Sequence, residues 1–83
     1  MTPHSKITPR SFNDVQVIAD HFIAGRFVVI NLQGVDTELS RRIMDFASGV
    51  CYGLGGSMEK VDSQVYRMRP PRPPEVHQMA PLK

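Results

Sequence analysis

Eighty-three residues allow at most one domain, and because five of the seven prolines fall between Pro70 and Lys83, about 64 residues, Lys6 to Arg69, remain to build it. A domain of about 60 residues buries only about 60% of the surface its unfolded chain exposes; one cysteine, Cys51, excludes an internal disulfide, and the ligands of a structural zinc site are missing, so a second copy is the leading way to complete the core. The formal charge is only +2, with no basic cluster, the longest apolar run (Phe27 to Ile30) is far short of the roughly 20 residues of a membrane span, and the N-terminus lacks a signal peptide's apolar stretch, so the chain reads as cytoplasmic and charge alone does not argue for nucleic acid.

Met1 to Ser5 read as a flexible start, and Lys6-Ile7-Thr8-Pro9-Arg10 as a short strand whose Pro9 marks an edge or the strand's end. Ser11 offers an N-cap, with Asp14 three residues later as a weak capping box. In the helix that follows, Phe12, Val15, Ile18, Ala19, Phe22 and Ile23 fall within an arc of about 140°, and Gly25 stops it. Arg26 to Leu32 is β-branched and nearly all apolar, which predicts a strand central in a sheet or buried on both sides, parallel to the first through a βαβ unit. Gly34 marks a turn, and Asp36 or Thr37 caps a second helix over about Glu38 to Leu54.

That second helix carries an apolar stripe of Leu39, Ile43, Phe46, Ala47, Val50 and Leu54, widened by Met44 and Cys51 and then by the small residues Ser48 and Gly55 to about 200°. One sheet cannot cover such an arc. Gly49 and Gly53 inside the helix each cost roughly 1 kcal/mol against alanine, which close approach of another backbone explains better than fraying around Gly53. Two short strands follow, Met58 to Val61 and Val65 to Met68. A two-residue turn at Asp62-Ser63 would set Lys60 across from Val65. A three-residue loop through Gln64 sets Lys60 across from Tyr66, Met58 across from Met68 and Val61 across from Val65, and gives one consistent core face; it is preferred. The Pro70-Pro71-Arg72-Pro73-Pro74 run reads as the start of a solvated, disordered tail rather than a polyproline ligand.

Catalytic and metal constellations are not recognisable. Gly53-Leu54-Gly55-Gly56 sits at a helix end, where it reads as a stop rather than a phosphate loop. His4, His21 and His77 lie in separate segments, so no metal site or acid/base pair is expected, and His21 reads as a solvated helix residue. Cys51 reads as a small buried hydrophobe, and Arg41-Arg42 as a solvated face balanced by Glu38 and Asp45. No cofactor is expected and an enzyme is not indicated, which leaves a binding or assembly module.

From the run Arg41-Arg42-Ile43-Met44-Asp45-Phe46-Ala47-Ser48-Gly49 outward, the sequence resembles the bacterial cell-division protein family SepF. The likeness covers nearly all of Lys6 to Arg69, through "TPRSFNDVQVIADHF", "VVINLQ", "RRIMDFASGVCYGLGG" and "KVDSQVY" in that order. The resemblance implies an α/β sandwich of two helices against a small mixed sheet, in the order β-α-β-α-β-β, that forms homodimers, can assemble further at the division site, and binds the C-terminal tail of the tubulin-like protein FtsZ. The basic and aromatic residues of the family's hairpin motif correspond to Lys60 and Tyr66, flanked by Met58 and Met68; tyrosine replaces the commoner phenylalanine. Met44, Ala47, Ser48, Cys51 and Gly55 carry over as the dimer surface. The family's N-terminal amphipathic anchor has no counterpart before Lys6, so no direct membrane anchor is expected in this chain. The alternatives are a short SepF-like paralogue that forms mixed dimers with full-length SepF, and a small basic module that binds nucleic acid through Lys60, Arg67 and Arg69.

Overall fold

The computed structural model describes residues 4–71; the Pro-rich run lies outside them from residue 72, as do the first three residues. The order is β1 (His4–Ile7), a 3-10 turn (Phe12–Asp14), α1 (Val15–Ile23), β2 (Phe27–Asn31), α2 (Thr37–Gly53), β3 (Ser57–Asp62) and β4 (Val65–Arg69), the expected β-α-β-α-β-β pattern. The four strands form one mixed sheet in the order β1-β2-β4-β3, with β1 parallel to β2 and the other pairs antiparallel. Both helices pack on one face.

The first strand starts two residues earlier than the sequence suggested and ends before Thr8. His4 and Ser5 therefore belong to the sheet and not to a loose start. Pro9 has no N–H to give a ladder and is instead fully buried beyond the strand. The Asp14 carboxylate accepts the backbone N–H groups of Arg10 (2.8 Å) and Ser11 (3.2 Å), which fixes the entry to α1. Gly25, at φ +89°, ends that helix with Gly25 N–H bonded to Phe22 O and Arg26 N–H to His21 O, the paired bonds of a Schellman stop.

Val28 and Ile30 on β2, Met68 on β4, and Val15, Ile18 and Phe22 on α1 meet Ile43, Ala47 and Cys51 of α2 in the core. β2 is central, as its composition predicted, but only its Val28 and Ile30 side is covered by helices; Phe27, Val29 and Asn31 on the other side are half-buried. Ile23, placed on the apolar arc of α1 by periodicity, is the last residue of the helix and is 67% exposed.

Most of the wide apolar arc of α2 is covered on three sides by its own chain, while Leu54, just past the helix end, is 48% exposed. Ile43, Ala47 and Cys51 face the sheet at a spacing of four. On one flank Phe46 meets Phe12 edge-on, with centroids 6.1 Å apart and planes at 84°, and Arg42 lies 4.4 Å above the same Phe12 ring. On the other flank the Ser48 hydroxyl reaches Met58 Sδ at 3.9 Å. The turn before α1 and the hairpin thus supply cover that the sheet alone does not.

The second helix ends on Gly55 at φ +86°, with Gly55 N–H to Tyr52 O and Gly56 N–H to Cys51 O. Gly56 is required by packing: a Cβ there would fall on the Arg69 carbonyl oxygen and 2.6 Å from Phe22 Cζ. One glycine thus brings the end of α1, the end of α2 and both hairpin strands together.

Candidate functional site

On the helix-covered face of the sheet, Ile30, Tyr66 and Lys60 form a row across β2, β4 and β3. The Lys60–Tyr66 and Met58–Met68 pairs are those the sequence favoured. The loop is not. Asp62 pairs with Val65, so the turn is the two residues Ser63-Gln64, and Val61, expected opposite Val65, is the extra residue of a bulge. Asp62 Oδ1 takes the Ser63 N–H at 2.7 Å, and Gln64 adopts φ 58° without being a glycine.

That turn is tied to the segment between β2 and α2. Leu32 N–H donates to Gln64 O (2.8 Å), and Gln33 Nε2 donates to Ser63 O (2.9 Å). Asp36, the N-cap, accepts from Glu38 and Leu39 N–H at 3.0 and 3.1 Å and fixes where α2 begins. Between these two anchored pieces lies a groove of about 250 Å³. Leu32, Val35 and Met44 supply aliphatic and thioether walls, Tyr66 supplies an aromatic one, and Thr37, Ser40, Gln64 and Arg41 supply the polar rim. Tyr66 is half-buried and Lys60 exposed, so the ring forms a wall while the ammonium stays in water on the outermost strand.

Of the residues singled out for the hairpin site, Lys60 and Tyr66 are adjacent and accessible. Met58 is half-buried under Ser48, and Met68 is fully buried and serves the core. The five residues singled out for the dimer surface do not form one patch. Ala47 and Cys51 are 0% exposed within the single chain, Ser48 meets Met58, Met44 lines the groove, and Gly55 belongs to the helix stop. The outward side of α2 instead carries Asp45, Gly49, Tyr52 and Gly53, all exposed, and a Cβ on either glycine would meet nothing within 4 Å.

Burial raises the Cys51 thiol, whose Sγ donates to Ser57 O at 3.1 Å, so it is a poor nucleophile. His21 is half-buried: its Nδ1 lies 3.2 Å from Ser5 Oγ and 3.3 Å from an Arg26 guanidinium nitrogen, pinning β1 to α1. Arg41 and Arg42 make no ion pair with Glu38 or Asp45, since among the described residues the ion pairs are those of Glu59 with Arg67 and Arg69. Those two arginines lie on the face opposite Lys60, beside Phe27, with guanidinium carbons 5.8 and 5.4 Å from its ring centroid. The three cations weighed for nucleic acid are therefore divided between two faces, and two of them share a carboxylate. Hydrogen bonding from Arg67 holds the Glu59 carboxyl below the ordinary glutamate value. Among the described residues no group of histidine, cysteine and carboxylate side chains could hold a metal, and no helix is long and apolar enough to cross a membrane.

Comparison with known proteins gives this arrangement a lineage. A family model described as "Cell division protein SepF" matches residues 5–72. The chain belongs to the SepF family. The SepF of Carboxydothermus hydrogenoformans is 50% identical over 62 residues, covering 75% of this chain and 45% of that protein. That of Rubrobacter xylanophilus is 42% identical over 66 residues, covering 80% of this chain and 36% of that protein. The chain thus spans less than half the length of these SepF relatives. Its fold matches the solved SepF-like protein from Pyrococcus furiosus with a TM-score of 0.73 at 21% identity, over 86% of this chain and 89% of that one.

Proposed function

We propose that this SepF-family core is a non-catalytic adaptor of cell division that binds the C-terminal tail of FtsZ in the groove between α2 and the β3–β4 hairpin. The observation that carries the reading is the Lys60–Tyr66 cross-strand pair, whose tyrosine lines a partly apolar groove. An aromatic wall offers contact area at low entropic cost, and an exposed ammonium meets the carboxylates of an approaching tail. A fluorescently labelled tail peptide binds the wild-type chain in this reading, and Lys60→Glu/Tyr66→Ala weakens binding by at least about tenfold, the loss of about 1.4 kcal/mol. Unchanged affinity in a double variant with native circular dichroism removes the site.

The core acts as a homodimer at the division site in the cytoplasm. The support lies on the outward side of α2, where Gly49 and Gly53 leave room for a second helix beside the exposed Tyr52 ring. The same surface serves mixed dimers with full-length SepF, and co-purification with tagged SepF in the absence of FtsZ tests that pairing.

A further inference from the structure

Resting on that peptide-binding reading, we propose that Arg41 reads a carboxylate of the bound segment, so that the groove selects a peptide carrying an acidic group within a few residues of an apolar anchor. The adjacent arginines of α2 have parted roles. Arg42 is engaged, its guanidinium lying 4.4 Å over Phe12. Arg41, about 100° further round the helix, is exposed, lines the groove, and has no carboxylate within ion-pair distance among the described residues.

The groove is otherwise uncharged. Leu32, Val35 and Met44 are apolar, Tyr66 is neutral, and no acidic side chain lines it. Of the carboxylates nearby in sequence, Asp36 is turned onto the Glu38 and Leu39 N–H groups as a helix cap, and neither Glu38 nor Asp45 lines the groove or pairs with Arg41. An anionic group that passes Lys60 and enters the groove therefore meets, in its lining, a cation that has no ion-pair partner among the described residues. A guanidinium presents donors in a planar fork that matches a carboxylate, and beside apolar walls the pair is less screened than in open water.

A second observation points to the same groove. Gln64 holds a left-handed backbone at φ 58°, a conformation that disfavours a side chain with a Cβ, and its residue lines the groove opposite Arg41's helix. Glycine would satisfy the turn more easily. A glutamine there gives the groove an amide that can both donate to and accept from a peptide backbone, which the turn itself does not need.

The carboxylate can come from an aspartate or glutamate side chain or from the end of the tail. Anisotropy titrations of the folded chain separate these sources with three probes: the FtsZ tail peptide, the same peptide with each acidic residue changed in turn to its amide, and the peptide with an amidated C-terminus. Arg41→Ala is expected to weaken the native peptide about tenfold and Arg41→Lys to recover only part of that. The penalty should vanish with the one peptide that lacks the carboxylate being read. Arg42→Ala should lower the melting temperature and leave affinity unchanged. Equal affinities of wild type and Arg41→Ala, or an undiminished penalty across every neutralised peptide, overturn the assignment. A designed pair of short peptides, differing only in aspartate or asparagine beside a phenylalanine, separates this inference from the FtsZ reading. If the tail does not bind but the acidic designed peptide binds through Arg41, the partner is wrong and Arg41's role stands; if neither binds, both fall.

Discussion

Replacing Gly49 by alanine should make the isolated chain more stable and its association weaker. Gly49 lies inside α2, four residues before the helix ends at Gly53, and an added Cβ would touch nothing within 4 Å. Its cost is therefore the backbone freedom that a helical glycine surrenders, about 0.8–1.0 kcal/mol relative to alanine. In a domain of this size that difference raises the melting temperature by about 4–8 °C. The proposed helix-to-helix contact has the opposite sign, because the same methyl group occupies space that a second backbone needs. Association stabilises a folded chain in proportion to the logarithm of concentration, so the two terms separate in a dilution series. Thermal unfolding followed by circular dichroism should show Gly49→Ala melting higher than wild type at low concentration. The wild-type midpoint should climb more steeply with concentration and narrow or reverse the gap, while sedimentation shows the variant shifted toward monomer. A variant that melts at or below wild type when dilute refutes the open placement of Gly49. Parallel concentration dependence refutes the outward side of α2 as the assembly surface.

Gly56→Ala should act in the opposite direction: the methyl group meets the Arg69 backbone and the Phe22 ring, and overpacking of this kind costs about 1–3 kcal/mol, readable as a lower urea midpoint. Stability should also decline as pH falls from the ordinary glutamate value of about 4.3 through the lower value that Glu59 holds in the folded chain. The sign follows from a depressed carboxyl: the stabilisation is complete above the unfolded value and is lost on protonation, so Glu59→Gln should flatten the profile in that range and added salt should shrink the difference.

Much of the fold is legible because its signals are local. Gly25 and Gly55 stop their helices since the backbone there turns left-handed, and Asp36 caps α2 with its own carboxylate. The Lys60–Tyr66 register is legible because a shift by one residue would turn Met68 from the core to solvent. What escapes the sequence is which neighbour covers a surface. The apolar arc of α2 is the same whether a second chain or the Phe12 turn and the hairpin lie against it, so Ala47 and Cys51 read as interface residues when they are core. Arg41 and Arg42 are chemically identical, and only the position of Phe12 distinguishes them. Val61 gave no sign of a bulge because its hydrophobicity fits an ordinary paired strand.

That bulge has an effect on how the hairpin tolerates change. Val61 stands between the Lys60–Tyr66 pair and the turn, 47% exposed and without a partner in the ladder. Deleting it would let Asp62 follow Lys60 directly, still opposite Val65, with the pairs from Lys60 back to Ser57 unmoved. The hairpin can gain or lose a residue at its tip while the lysine and tyrosine keep their places, so the length of the loop and the chemistry of the groove are free to vary independently.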